Sequence, residues 1–132
     1  MKAIINLFVL ACIFSACTSD SPSIDSFSVL NSNSEILKED GAQLQFSYSF
    51  SDDNGLSKYR VSVIDDFEGA RVASAPWYYE DDFDLSGTSA SDTKSIELPY
   101  PDIEPGRYKL TLTVQDVDQQ ESAQNKTFYV IE

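Results

Sequence analysis

The chain alternates between apolar and polar residues in short stretches that are separated by turn-forming residues. The clearest stretch is residues 42–50, AQLQFSYSF, in which every second side chain is apolar. Residues 56–64 and 107–115 alternate in the same way. A period of two is typical of an antiparallel strand with one buried face. The side chains predicted to point inward are Ala42, Leu44, Phe46, Tyr48 and Phe50, then Tyr59, Val61 and Val63, then Tyr108, Leu110, Leu112 and Val114.

Weaker signals of the same kind predict strands at residues 24–30, 95–98 and 126–131, with residues 36–37 as a short edge segment. Polar turns or loops are expected at residues 51–55, 86–92 and 116–121. No stretch has a helical period over a useful length. The pattern therefore predicts an all-β fold, an antiparallel immunoglobulin-like β-sandwich of about seven strands.

One tyrosine supports this fold class. Gly106 and Arg107 precede Tyr108 at the start of the penultimate predicted strand. Immunoglobulin-like sandwiches often place a tyrosine there, with its hydroxyl bonded back to the preceding loop. The alternative is that Tyr108 only fills the core, and the sequence leaves both interpretations open.

Residues 1–16 have the layout of a secretory signal peptide. Lys2 is followed by an apolar stretch and by the small residues Ser15 and Ala16, directly before Cys17. This arrangement resembles the lipobox of bacterial lipoproteins and predicts lipidation of Cys17. Cleavage before Cys12 would leave a very short apolar stretch, and the remaining alternative is a plain secreted protein. We expect residues 17–23 to form the lipidated cysteine with its tether and residues 24–132 to form the domain.

The cysteine content and the net charge exclude several kinds of chemistry and of partner. Cys12 leaves with the signal peptide and Cys17 carries lipid, so no disulfide and no thiol chemistry are expected. The net charge of −13 opposes binding to phosphate backbones, and we expect no nucleic-acid partner. The chain contains no histidine, and no Gly-x-Ser-x-Gly motif is present. Paired carboxylates alone would suffice for glycoside hydrolysis, but so small a sandwich rarely has the required cleft. The protein is predicted not to be an enzyme.

Residues 65–87 form an insert unlike the rest of the chain, with the single tryptophan and the densest acidic charge. The strand directions place this insert at the end of the sandwich opposite the N-terminal residues. The functional interpretation is an outward recognition surface for a protein or glycan ligand. Its residues would be Trp77, Tyr78, Tyr79 and Phe83. The alternative is that these aromatic residues cap the core and that the acids are its solvated side.

Calcium is the one candidate cofactor, because Ca²⁺ takes six to eight oxygen ligands. The candidate ligands in the insert are Asp65, Asp66, Glu68, Asp81, Asp82 and Asp84. A second acidic group comprises Asp52, Asp53, Asn54, Asp116 and Asp118, for which turn formation is the simpler explanation. Neither group matches the twelve-residue calcium loop.

Several segments in order resemble one family. These are SFSDDNGLSKYRVSVIDDFEG, then Trp77, FDLSGTSA, SIELP and PGRYKLTLTVQD. Together they resemble a family of Bacteroidetes lipoproteins known as domain of unknown function 4625, over residues 24–131. Members of that family carry histidines around the insert, where this chain has Asp65 and Asp66. The resemblance therefore implies no nitrogen-rich site for zinc or copper here.

These observations predict a lipid-anchored, non-enzymatic binding or accessory module of the cell envelope, held in the outer membrane through Cys17. The alternative is a cation-binding version that uses an all-oxygen acidic site. A structural role in the envelope without a discrete ligand is the third interpretation.

Overall fold

Eight strands account for most of the chain that the computed structural model describes, which is residues 20–67 and 77–132. A 3-10 turn at Ser32–Ser34 precedes the second strand. The strands are β1 (Ser23–Val29), β2 (Glu35–Leu37), β3 (Gln43–Ser51), β4 (Leu56–Asp65), β5 (Tyr79–Asp84), β6 (Ser89–Glu97), β7 (Gly106–Asp116) and β8 (Glu121–Ile131).

The strands form two sheets, one with the order β1-β3-β6 and one with the order β2-β8-β7-β4-β5. Neighbouring strands are antiparallel except β2 and β8, which are parallel. Two facing sheets with the core between them make a β-sandwich, which confirms the predicted fold class.

The predicted inward faces supply the core. From β3, Leu44 and Phe46 are fully buried and Phe50 is nearly so, and from β7 Leu110 and Leu112 are fully buried. The remaining predicted inward residues of β4 and β7 are buried as well. Ala42 is only partly buried, since it precedes the first paired residue of β3. The alternating apolar positions of the sequence thus identify the buried side chains of these strands.

Three stretches differ from the prediction by more than a residue at a strand end. β6 begins at Ser89, so much of the predicted polar loop is strand, and β8 begins at Glu121 instead of residue 126. β5 lies inside the segment that we predicted as an insert. These stretches lack an alternating apolar signal because little of their surface is buried. β5 and β6 are edge strands, and the inward positions Gln124 and Lys126 of β8 are exposed.

Tyr108 forms the predicted bond to the preceding loop. Its hydroxyl donates to the backbone carbonyl of Glu104 at 2.6 Å, and its ring is fully buried. Both interpretations of this residue are therefore correct, since it fills the core and ties down the loop.

The sandwich has two distinct ends. Ser23 pairs with Ser51, and the Ser21 hydroxyl lies 3.2 Å from Oε1 of Gln120. Residues 20–23 therefore share one end, here called the N-terminal end, with the turns at 52–55 and 117–120. The connection between β4 and β5 leaves the opposite end, here called the far end, where the backbone N–H of Asp66 bonds to Arg107. This confirms that the insert begins opposite the N-terminal residues.

Candidate functional site

Aromatic rings close the far end. The ring of Tyr108 lies 5.7 Å from Phe128 in a stacked arrangement, 6.2 Å from Trp77 and 5.5 Å from Phe67. Trp77 also meets Phe128 edge to face at 6.0 Å. Such pairs add to the free energy gained from burial alone. Phe67 and Trp77, on either side of residues 68–76, are therefore both fixed to the same buried tyrosine.

Trp77 does not lie on the surface where the recognition interpretation placed it. Only 5% of Trp77 is exposed, so this residue caps the core as the alternative interpretation held. Its neighbours Tyr78 and Tyr79 separate, because successive residues of an extended chain point to opposite sides. Tyr78 is 69% exposed and Tyr79 is half-buried.

Phe83 lies on the inner side of β5, like Tyr79. Its ring stacks on the buried Tyr59 with the centroids 5.0 Å apart. Nζ of Lys94, on the edge strand of the other sheet, lies 5.0 Å from the centre of the Phe83 ring. The four predicted recognition residues therefore do not form one patch. Of these four residues, only Tyr78 is mostly exposed to solvent.

The outer side of β5 is an ion-pair surface. Nε of Arg60 on β4 lies 2.8 Å from Oδ1 of Asp82 and 3.5 Å from Oε1 of Glu80. The hydrogen bond from Arg60 lowers the pKa of Asp82. The Tyr78 hydroxyl donates to Glu80 at 2.9 Å, and this bond raises the pKa of Tyr78. Part of the acidic charge of the insert is thus matched by one arginine across the strand pair.

The predicted calcium ligands of the insert are spread over different surfaces. Asp66 lies 3.3 Å from Nε of Arg107, whereas Asp65 is exposed. Asp81 points to the inner side of β5, and Asp82 and Asp84 point to the outer side. Glu68 lies outside the described residues. Within residues 20–67 and 77–132 no three carboxylates are grouped so that they could hold a metal ion. Calcium binding by this set stays a prediction that no described contact supports.

Two aspartates close the N-terminal end, and they are the buried carboxylates of the described core. Oδ2 of Asp52 accepts the backbone N–H groups of Asn54 and Gly55 at 2.9 and 3.0 Å. Oδ1 of Asp116 accepts those of Asp118 and Gln120 at 2.9 and 2.8 Å. These bonds are the turn-forming role proposed for this acidic group.

The second carboxylate oxygen of Asp116 is unusual. Asp116 is 1% exposed, and its Oδ2 has no hydrogen-bond partner among the described atoms. Nearby, parts of segments 20–23 and 51–54 line an open polar cleft of about 380 Å³. Asp116 is not among the residues that line this cleft, so the two features do not combine into one site.

The hydroxyl groups of Tyr48 and Tyr59 form a second buried polar pair, between the two ends. They share a hydrogen bond of 3.0 Å beneath the ring of Phe83. Burial raises the pKa of both phenols, and the nearby carboxylate of Asp92 raises it further. The sequence gives no sign of this pair, because each tyrosine occupies one inward position of an alternating strand.

In the described part of the chain, no helix has the length and apolar character needed to cross a membrane. The predicted signal peptide and Cys17 lie outside the described residues.

Two packed sheets, a Greek-key-like strand order and a tyrosine bonded to its own preceding loop define an immunoglobulin-like β-sandwich. The chain belongs to the family described as a domain of unknown function, DUF4625, whose model matches residues 11–131. This match confirms the domain family that the sequence segments predicted, and the bacterial lipoprotein origin stays a prediction. No curated protein matches the chain.

Solved structures share the fold at low identity. Wild-type OgpA from Akkermansia muciniphila is 10% identical with a TM-score of 0.58, and the match covers 85% of this chain and 29% of that one. Catalytically inactive OgpA in complex with an O-glycopeptide substrate gives a TM-score of 0.59 at the same identity and coverage. An immunoglobulin-like protein from Pseudomonas aeruginosa is 17% identical, with a TM-score of 0.46 and coverage of 86% and 98%. The chain spans less than a third of OgpA, and the likeness concerns the fold alone.

Proposed function

We propose that this protein is a lipid-anchored, non-enzymatic module of the cell envelope, held in the outer membrane through Cys17, which binds a protein or glycan partner. The observation that carries the proposal is the separation of the two ends of the sandwich. The N-terminal residues are fixed at one end, and the connection between β4 and β5 leaves the other.

The tether between anchor and domain is short. The Ser122 hydroxyl donates to the carbonyl of Pro22, and the Ser21 hydroxyl lies 3.2 Å from Oε1 of Gln120. Three residues, 18–20, separate Cys17 from Ser21. An extended chain spans at most about 3.6 Å per residue, so a lipid on Cys17 would keep the N-terminal end within about 15 Å of the membrane surface. The outer faces of the two sheets and the far end would then be accessible to a partner.

The side chains present also support a binding role over catalysis. The sequence has no histidine, and its two cysteines precede the domain. Burial raises the pKa of the phenols of Tyr48 and Tyr59, so both stay protonated at neutral pH and cannot accept a proton from a substrate.

The anchor is tested by fractionating cells that produce the full chain with Cys17→Ser. We expect this variant to move from the membrane fraction to the soluble fraction, since the acyl chains hold the protein. Cys12→Ser is the matched control and should stay with the membrane. Retention of Cys17→Ser in the membrane fraction would remove the lipid anchor from the proposal.

Orientation is tested by placing single cysteines in the Cys12→Ser background of the lipidated chain on vesicles. Tyr78→Cys, at the far end, is expected to react with a bulky maleimide faster than Asp53→Cys, at the N-terminal end. Both positions are exposed in the domain itself. Equal rates would contradict a domain that stands on its N-terminal end.

A further inference from the structure

The outer face of the three-stranded sheet is built mainly from small hydroxyl side chains. Cross-strand register places Ser28, Ser47 and Thr93 in one row and Ser26, Ser49 and Ser91 in the next. We call the outward-facing positions of β1, β3 and β6 the hydroxyl face. All of them lie in the described part of the chain, and all are exposed or half-exposed.

Further rows of the hydroxyl face follow along β3 and β6 toward both ends of the sandwich. Ser51 pairs with Ser89 toward the N-terminal end, and Gln45 pairs with Ser95 toward the far end. β3 and β6 both have nine residues in continuous register, without a bulge. At about 3.4 Å per residue and about 4.8 Å between strands, β3 and β6 form a strip about 30 Å long, which β1 widens to about 10 Å along residues 46–51 of β3.

The hydrogen-bonding capacity of this strip is mostly unused within the protein. Ser26 and Ser49 share one hydrogen bond of 2.9 Å across the strands. At Ser47, Ser91 and Thr93, the described structure has no hydrogen-bonded partner for the hydroxyl groups. Each hydroxyl has one donor and two acceptor positions, so the strip has a dense array of both kinds.

Charge distinguishes this face from the rest of the molecule. Within a chain of net charge −13, the outward positions of β3 and β6 include one ionised side chain, Glu97, at the last position of β6. The outer face of the other sheet instead contains pairs such as Arg60 with Asp82. A cationic ligand would meet only the carboxylate of Glu97 and that of Asp25, which is exposed at the bulge of β1, and the negative charge of the whole protein would repel anionic polymers.

The shape and chemistry favour one class of partner. Protein interfaces have an apolar and aromatic centre, which this strip of serine and glutamine lacks. A neutral polysaccharide offers hydroxyl groups along a linear chain and needs no counter-charge. A strip three times longer than it is wide fits such a chain when it lies parallel to the strands.

We propose that the hydroxyl face binds a neutral, linear polysaccharide along β3 and β6. This inference rests on the proposed binding function and names the class and location of its ligand. The full chain, purified in detergent, is passed over surfaces that carry immobilised dextran, mannan or mixed-linkage β-glucan, with polygalacturonate as the anionic comparison. We expect binding to at least one neutral polymer and weaker or no binding to polygalacturonate.

Two variants locate the binding. Ser47→Glu and Ser91→Glu each place a carboxylate in the middle of the face, where a bound neutral chain would have to desolvate it. We expect each to weaken binding at least about tenfold. Thr111→Glu, at an outward position of β7 on the opposite sheet, is the matched control and should bind like the wild type. Thermal unfolding of all three variants separates lost binding from a lost fold.

No binding to any of the three neutral polymers would overturn the inference, and so would equal weakening by Thr111→Glu. Binding that is lost in Tyr78→Ala but kept in Ser47→Glu would also overturn it. That result would place the ligand at the far end and leave the proposed binding function intact. Retention of Cys17→Ser in the membrane fraction would contradict only the proposed lipid anchor and not the proposed binding.

Discussion

The sandwich closes its two ends with different chemistry. At the N-terminal end, Asp52 and Asp116 each accept two backbone N–H groups of a short turn. At the far end, rings of Trp77, Tyr108 and Phe128 contact one another, with centroid distances of 5.7 to 6.2 Å. The difference follows from the length of the connections. A short turn leaves N–H groups that one carboxylate can satisfy, whereas the long connections of the far end leave a volume that large side chains must fill.

Truncation of a buried side chain should lower the free energy of unfolding more at the far end than at the N-terminal end. Trp77→Ala removes a side chain that is 5% exposed and contacts two buried rings. We expect a loss of about 3 to 5 kcal/mol in the free energy of unfolding. Urea denaturation measures it. Tyr78→Ala, at the exposed neighbouring position, is the control and should change stability by less than about 0.5 kcal/mol. Similar losses in both variants would mean that Trp77 does not cap the core.

A glycine of the same end should tolerate no side chain. Gly106 has a φ of +153°, and a Cβ atom there would overlap the ring of Phe67. We expect Gly106→Ala to cost about 2 to 3 kcal/mol, since either the backbone or the ring must move. Gly41→Ala is the matched control, because φ is +80° there and no atom lies within 4 Å of the added Cβ. Its cost should be about 1 kcal/mol.

The overlap itself can be tested by a double-mutant cycle. Phe67→Ala in the Gly106→Ala background should cost less than Phe67→Ala alone, because the second change removes the ring that the added methyl group meets. Additive losses would show that the strain at Gly106 comes from its backbone conformation and not from Phe67.

At the N-terminal end, the free energy of unfolding should depend more on Oδ1 of Asp116 than on its Oδ2. Asp116→Ala leaves the N–H groups of Asp118 and Gln120 without their acceptor, and we expect a loss of about 1 to 3 kcal/mol. Asp116→Asn keeps an acceptor for both N–H groups and replaces the oxygen that has no described partner. We expect it to cost less than the alanine variant, as measured by urea denaturation.

Equal losses in the two variants would mean that the second oxygen of Asp116 has a partner. Thermal unfolding with and without millimolar Ca²⁺ then identifies it. A rise in Tm of the wild type that Asp116→Asn abolishes would favour the cation-binding alternative over the binding module. An unchanged Tm would point to another partner, such as a buried water molecule.

Strands with one fully buried face could be predicted from the sequence, whereas edge strands could not. β3, β4 and β7 were predictable because each has one fully buried face, so polarity alternates along the chain. β5 and β6 are edge strands with little burial, and their sequences give no comparable signal.

Contacts between residues far apart in the sequence also could not be predicted. The position of Tyr108 was predictable from its local Gly-Arg-Tyr context, because the bond to Glu104 spans four residues. Trp77 packs on residues 31 and 51 positions further along the chain, and neither the acidic composition around it nor a local spacing reports that contact. The hydroxyl face was visible as polar positions of residues 42–50, but its continuity across three strands depends on their register.

Between the two ends, the pair of Tyr48 and Tyr59 should make stability fall at alkaline pH. Burial raises the pKa of both phenols above 10.0, the value expected for the unfolded chain. The stability contribution of these protonated phenols is complete below about pH 10. Above it, the unfolded chain loses protons that the folded chain keeps, so the free energy of unfolding decreases.

Tyr59→Phe removes the more strongly shifted phenol, although it also loses the bond to Tyr48. Urea denaturation between pH 8 and 11 should show a constant loss below about pH 10, followed by a shallower decline than in the wild type, by at most about 1.4 kcal/mol per pH unit. Tyr129→Phe, at an exposed position of β8, should keep the wild-type slope. Parallel curves for Tyr59→Phe and the wild type would mean that the phenol of Tyr59 does not cause the loss of stability at alkaline pH.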